Sequence, residues 1–413
     1  MEKILALKTF WTIAFRDLIR NRRRTFTTLL AVALGMLVVM LMAGMLRGVM
    51  DSAMRDNINV VTGHLQLRAE SYEAENMSLL GKDLVQDPQY LVTRIEVLPE
   101  VKSVAPVLWA STILSTPRES TGLKITGIDP DDVFHSPIRQ GMVEGEYLNA
   151  DDRGQILLSQ RLAEDMEITV GQQVSLATGD ANGGLDEGLF NVKGTFNTGF
   201  PGYDNSNVIM PLSQAQSFTR TGDRASSIIV ILNDSADTAK VAAALATPGI
   251  HIYTWEDMNQ FFIQSMQAGE SFYYLIYIIV ILVVAILIAN TLLMSVFERT
   301  REMGILASLG MKQRQIMVMV LIEAAILALI GIFFGVLLGL GAVGYLAQVG
   351  FDMGEGTAGL VEGMAFSSKM YPAMASDQFL ILSLLMFGIV VLVSVYPAWY
   401  ASRMEPVEAL HAF

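Results

Sequence analysis

Four long stretches of this chain carry almost no charge, and about 20 consecutive apolar residues is what a bilayer's hydrocarbon demands of a spanning helix. Thr27–Leu46 is 20 residues without a charge, Phe272–Phe297 is 26 and Phe379–Tyr400 is 22. Ile316–Leu346 is interrupted only by Glu323. In the second stretch 17 residues are Ile, Leu, Val or Phe. On an insertion scale that favours the membrane by roughly 5–10 kcal/mol. A cleaved signal sequence fits the first stretch poorly, because no Ala-x-Ala site follows Leu46. The prediction is a retained helix and four spans in all.

Charge places the rest. Residues 51–271 hold 14 basic and 30 acidic side chains, a net of −16. Residues 1–27 are net +5 and residues 297–316 net +2. Arg16, Arg20, Arg22, Arg23 and Arg24 precede the first span, while Arg299, Arg301, Lys312 and Arg314 lie between the second and third. Basic loops stay inside, so both termini are predicted to be cytoplasmic and the acidic region to face outward. A large acidic domain argues against a nucleic-acid partner. With no cysteine, disulfides, thiolate nucleophiles and Cys-ligated metals are excluded.

The expected organisation is an α-helical membrane protein with four transmembrane helices (1+3) and a large α+β extracytoplasmic domain between helices 1 and 2. A cytoplasmic amphipathic helix and basic segment would occupy 1–26, with Leu7, Phe10, Trp11, Ala14, Phe15 and Leu18 on one face. Helix 1 would span 27–50, the outer domain 51–270, helix 2 271–297, a cytoplasmic coupling helix 298–315 and helix 3 316–347. An outward loop at 348–378, helix 4 at 379–400 and a cytoplasmic tail at 401–413 complete it. In the outer domain, Val60–Leu67, Leu123–Ile128, Gln155–Leu158, Gln173–Ala177, Phe190–Thr195, Asn207–Met210 and Ser227–Leu232 read as strands. Pro88–Leu98 and Thr238–Ala246 read as helices. Gly179–Gly188 reads as a hairpin tip or flexible loop.

Chemistry is not visible in this domain. None of His64, His135, His251 and His411 sits in an HExxH pattern, and no GxSxG elbow occurs. Asp131 and His135 could share a helical face, but Pro130 and Pro137 bracket them and favour a polar turn. Asp131-Asp132 and Asp151-Asp152 lack the calcium-loop spacing. The single Gly-Lys, Gly81-Lys82, is followed by Asp83 without a Gly-rich loop before it, so no phosphate cradle is present in that form.

Between the second and third spans, ERTREMGILASLGMKQRQI (Glu298–Ile316) reads as a short helix closed at Gly310, with Met303, Leu306 and Ala307 on one apolar face. Such a helix suits docking to a soluble ATPase, and equally suits a loop that only sets topology. The run Asn290–Gly310, NTLLMSVFERTREMGILASLG, together with Tyr396–Leu410, YPAWYASRMEPVEAL, resembles FtsX/MacB-type ABC transporter permeases (type VII ABC). So do Leu157–Ala163, Val170–Val174 and Phe190–Phe196 in the outer domain, and the resemblance covers essentially the whole chain. Within that family Thr62–Leu67 and the lack of a fused ATPase look most like the lipoprotein-releasing LolC and LolE.

The resemblance implies a non-catalytic membrane subunit that binds no cofactor, with ATP and Mg used by two copies of a partner ATPase. It implies a second permease subunit, as homodimer or homologous heterodimer, in the bacterial inner membrane among membrane lipid. A periplasmic chaperone or channel would stand outside, and a lipoprotein or other amphiphile would be the substrate. The ATPase-coupling residues are then Glu298, Arg299, Arg301, Glu302, Met303, Leu306 and Gly310. In LolC a long hairpin hook recruits a chaperone; here Thr178–Leu189 is short and Gly-rich, with Gly179, Gly183, Gly184 and Gly188 as the candidate hook loop. MacB-like efflux of peptides or drugs, and FtsX-like control of a cell-wall hydrolase without transport, are the alternatives.

Two intramembrane features complete the reading. Glu323 is an ionisable group within a span and is expected to pair with Asn290 or a neighbouring helix end. Gly331, Gly335 and Gly339, and likewise Gly44 and Gly48, recur every fourth residue and suit close helix approach, within the subunit or across a dimer seam. Met36, Met40, Met42 and Met45 suit a surface for acyl chains, and better still an ordinary lipid-facing surface.

Overall fold

A computed structural model of the protein describes residues 20, 22–73, 76–308, 310–352, 369–373 and 376–403. The expected helix at 4–19, the centre of the outward loop and the tail from 404, with His411, lie outside the described residues. Those described fall into two compact units, 20–51 with 265–352 and 369–403, and 52–264.

The first unit is built on four helices, Arg22–Asn57, Gln260–Glu298, Gln313–Val349 and Ser376–Ser402. Each is long and apolar enough to cross a membrane. The first has 36 residues, about 54 Å at 1.5 Å per residue, so it exceeds a hydrocarbon layer of about 30 Å. In lipid, helices gain little by hiding apolar surface from one another, and close packing has to hold them. The glycines supply it. A Cβ on Gly331 would stand 2.5 Å from Val32 Cβ, on Gly335 2.6 Å from Met36 Cβ, and on Gly339 2.5 Å from Met40 Sδ. Gly44 receives Val343, and Gly48 receives the Tyr371–Pro372 backbone.

Both glycine stripes therefore make close contacts inside this subunit. The same contacts correct the reading of the methionines. Met36 and Met40 are 0% exposed, lying against the Gly335 and Gly339 positions of the third span, and do not face lipid. Met42 and Met45 are half-buried.

The second unit is α+β. Its strands are β1 (Leu65–Ala69), β2 (Val101–Ser115), β3 (Ser120–Ile128), β4 (Met142–Gly145), β5 (Gln155–Ser159), β6 (Gln173–Gly179), β7 (Leu185–Phe196), β8 (Asn207–Pro211), β9 (Ser227–Leu232) and β10 (Ile250–Thr254). They form one sheet in the order β10-β1-β9-β2-β3-β8-β5-β7-β4, with β6 paired to β2 and β7. β3 with β8 and β5 with β7 are parallel; the other pairings are antiparallel.

β2 takes part in two of the cores that this one sheet carries. Val101–Val107 pairs with β9, and Leu108–Ser115 pairs with β3. One core joins Leu65, Leu67, Val104 and Val230 to the helices Pro88–Glu96 and Thr238–Leu245. The other joins Leu108, Ile125, Leu158 and Val192. The sequence pattern did not suggest β2, because Pro106 interrupts it and proline demotes a central strand. Pro106 falls close to the changeover between partners, paired with Ile228.

The expected strand Val60–Leu67 begins later. Ile58–Thr62 is a five-residue π turn continuing the first helix, and Gly63, at φ 65°, ends it before β1. Ile58 and Thr62 are the buried pair, four residues apart, which is helical spacing rather than alternation. The candidate hook is also shorter than expected. Gly179 pairs with Leu185 and Leu176 with Gly188, so Gly179 and Gly188 are strand residues and the tip is 180–184. Asp180 Oδ1 accepts from the Asn182 and Gly184 amides, and Arg220 bridges Asp180 and Asp186, which pins the tip down.

If the glycine ridge holds the first span to the third, Gly335→Leu in the full chain will lower the detergent melting temperature by an amount matching overpacking of about 1–3 kcal/mol. Gly341→Leu, where a Cβ meets nothing within 4 Å, should leave it unchanged. Equal shifts in the two thermal melts would refute the packing role.

Candidate coupling site

The segment between the second and third spans folds as Thr300–Ser308, a single short helix. Its end is fixed by the backbone. Gly310 takes φ 93°, a value that favours glycine. Its amide donates to the Ala307 carbonyl at 3.0 Å and the Met311 amide to Leu306 at 3.1 Å, closing the helix in the left-handed manner expected of Gly310. Lys312 and Gln315 then cap the start of the third span, with the Gln315 side chain accepting from the Lys312 amide at 2.8 Å.

The helix presents two different faces. Met303 is buried, and with Ala307 it packs on Val296, Ile316, Val320, Ala398 and Ala401, so this apolar stripe belongs to the subunit's own core. Glu298, Arg301, Ile305, Ser308 and Gly310 are exposed, while Glu302 and Leu306 are half-buried. Ile305 is 44% exposed, the largest apolar group on the outer face.

Arg299 corrects the expected assignment. Its side chain is 6% exposed and that of Glu323 only 5%. Arg299 Nη1 lies 3.3 Å from Glu323 Oε2, and Arg299 Nε donates to Glu302 Oε2 at 3.1 Å. Glu302 also pairs with Arg20, ahead of the first span. Burial would raise the Glu302 carboxyl, but Arg20 and Arg299 together hold it below its usual range. A chain of alternating charge thus runs Arg20, Glu302, Arg299, Glu323, and links three segments far apart in sequence.

Glu323 is paired, as expected, but with Arg299. Asn290 is exposed on the second span, with no side-chain hydrogen bond among the described residues. The residue spacing held a clue: Arg299 lies four positions before the buried Met303, on the same helical stripe. Nothing in sequence flagged Arg20 over its neighbouring arginines.

In the outer unit the other singled-out residues serve the fold. His64 Nδ1 accepts from the Leu232 amide at 3.3 Å. His135 follows a turn, and burial pushes it down to about 3. Its near acid is Asp132, at 4.0 Å, which burial and then Asp129, Glu96 and Asp131 push up to about 8. Asp131 instead faces Arg139 at 3.6 Å. Asp152 pairs with Lys193 at 2.7 Å. Among the described residues no group of three His, Asp or Glu is placed to hold a metal.

Four apolar helices, an α+β insertion after the first and a short charged helix between the second and third define a multi-pass permease subunit. The description FtsX-like permease C-terminal matches residues 274–406, and MacB-like periplasmic core domain matches residues 25–247. The chain belongs to the FtsX/MacB-type, or type VII, ABC transporter permease family.

It is similar to the lipoprotein-releasing system transmembrane protein LolC of Neisseria meningitidis serogroup B, 22% identical over 75% of this chain and 78% of that one. It is similar to LolC of Xylella fastidiosa Temecula1, 22% identical over 96% and 97%. The macrolide export ATP-binding/permease protein MacB of Bordetella avium is 28% identical over 51% of this chain and 31% of that one. The periplasmic region of MacB from Actinobacillus actinomycetemcomitans is similar at 15% identity and a TM-score of 0.35, over 51% of this chain and 97% of that one.

Breaking a buried ion pair from one side costs about 3–5 kcal/mol, whereas replacing both partners with apolar groups is often neutral. Arg299→Met alone should therefore sharply lower the melting temperature, and Arg299→Met with Glu323→Leu should restore most of it. Double-variant melts no better than the single variant would remove the pair from the account.

Proposed function

We infer that this chain is the transmembrane subunit of an ATP-driven extruder that takes lipoproteins or a similar amphiphile from the outer leaflet of the bacterial cytoplasmic membrane. The observation that carries the reading is alignment to a LolC protein over 96% of this chain and 97% of that one. MacB of Acinetobacter baylyi aligns over 94% of this chain but 57% of its own length, and its name includes an ATP-binding part. In this reading a separate ATPase, in two copies, is the source of work, and ATP with Mg²⁺ is bound there. Both termini and the helix Thr300–Ser308 lie on the cytoplasmic side in this reading, as the arginine clusters require.

The docking face is the exposed one. Arg301 and Ile305 offer a charge beside an apolar side chain, the mixture that anchors interfaces. Arg299 and Met303 hold that face in place from beneath. A second permease subunit, identical or homologous, completes the transporter. Asn290 suits such a seam, since an amide left in hydrocarbon without a partner is costly.

One observation favours a MacB-like efflux reading instead. The hairpin tip is confined to 180–184 and tied by Arg220 to Asp180 and Asp186, which leaves little to hook a periplasmic carrier.

Arg301→Glu and Ile305→Asp, assayed with the cognate ATPase, should weaken its retention by about tenfold or more without moving the melting temperature. Unchanged retention and ATP turnover would count against docking here. Mass spectrometry of nucleotide-free complex should find acylated protein. Copurified peptide or drug-like cargo in its place would transfer the assignment to efflux.

A further inference from the structure

The second unit encloses a cavity of about 320 Å³ whose charged lining is cationic. One part of its wall is apolar, including Val60, Val61, Val107, Phe134 and Ile229. Arg68, Trp109 and Lys124 also line it. The Arg68 guanidinium carbon is 5.4 Å from the Trp109 ring centre and Lys124 Nζ is 5.6 Å from it. Tyr72 and Tyr253 lie 5.6 and 5.1 Å from the same guanidinium. No carboxylate lines the cavity among the described residues.

Neither cation is answered by an acid. Arg68 Nε donates to the neutral Gln66 amide oxygen at 3.0 Å, and Nη2 shares that acceptor. Lys124 Nζ has no ion pair or hydrogen bond among the described residues. Burial first, and then the charge of Arg68, push its ammonium down to about 8.

A half-buried cation costs stability unless something pairs it, and aromatic rings supply only part of that compensation. Two like charges about a single ring add mutual repulsion. A fold indifferent to ligand would be steadier with an uncharged side chain at Lys124. The surroundings also select the anion. Residues 51–271 are net −16, a field that repels multiply charged ligands from a distance. The apolar wall calls for a carbon body beside the charge.

We propose that the cavity lined by Arg68, Trp109 and Lys124 binds a monoanionic carboxylate carrying an apolar or aromatic body. The carboxylate sits between the guanidinium and the ammonium, against the indole, and the body fills the space by Val107, Phe134 and Ile229. A free small carboxylate and the C-terminal residue of a peptide share this chemistry. The site is independent of how the coupling helix is read.

The test uses the full chain in nanodiscs, with Trp fluorescence and calorimetry reporting binding. The probes are phenylbutyrate and N-acetylglycylphenylalanine, each compared with its carboxamide. Both carboxylates should bind, each amide should bind about tenfold more weakly, and Lys124→Met should weaken carboxylate binding about tenfold. The same variant should melt no lower than the parent chain, because an unpaired buried charge has been removed. Binding of phenylbutyrate alone supports a small-molecule ligand, and binding of the acetyl-dipeptide alone supports a peptide terminus. Absence of binding by both, equal binding of acids and amides, or affinity unchanged in Lys124→Met would each overturn the proposal. A lowered melting temperature in Lys124→Met would make the lysine structural and overturn it too.

Discussion

Arg299 and Glu323 are both almost wholly out of solvent, and each lowers the cost of burying the other's charge. That mutual need fixes where the helix Thr300–Ser308 sits. Its Arg299 anchor reaches across to the third span, and Glu302 continues the chain of charge to Arg20 at the head of the first. Nonspecific apolar packing would allow a short helix of this kind to slide along its groove. Directional, charge-assisted bonds from two nitrogens of a buried guanidinium do not.

The same logic of exact placement governs the spans. Gly331, Gly335 and Gly339 bring the third helix against Val32, Met36 and Met40 so closely that a single added carbon on any of them would overlap. Contacts of that closeness forfeit much of their dispersion energy when opened by a fraction of an ångström. The first and third spans therefore behave as one body. Methionine suits this ridge because an unbranched thioether can fill the irregular space beside a missing side chain.

What could be read from the sequence follows from how local each signal is. A spanning helix announces itself through composition over 20 or more residues, so all four were plain. Most strands of the outer unit were plain from β-branched runs between turns. β2 was hidden because its continuity depends on two different partners meeting at Pro106, a tertiary fact. Val60–Thr62 was misread because a short β-branched run bounded by glycine looks alike in helix and strand. At the candidate site, helical spacing found the helix and its glycine stop, and named the segment. It could not separate the buried Arg299 from the exposed Arg301, since the distinction lies in Glu323, some two dozen positions onward.

Taken together, the ion chain and the glycine ridge restrict how force can travel through the membrane unit. A push on Arg301 or Ile305 is borne by a helix whose inner face is already seated in a core with Val296, Ile316 and Ala398. The helix cannot yield by itself without pulling Arg299 from Glu323 and weakening a buried ion pair. The third span must follow. The first span must follow the third, because the ridge between them has no slack, and the exposed Arg20–Glu302 pair adds only a weak contact at its head. The packed ridge makes a rotation of these spans as a pair cheaper than any movement that parts them.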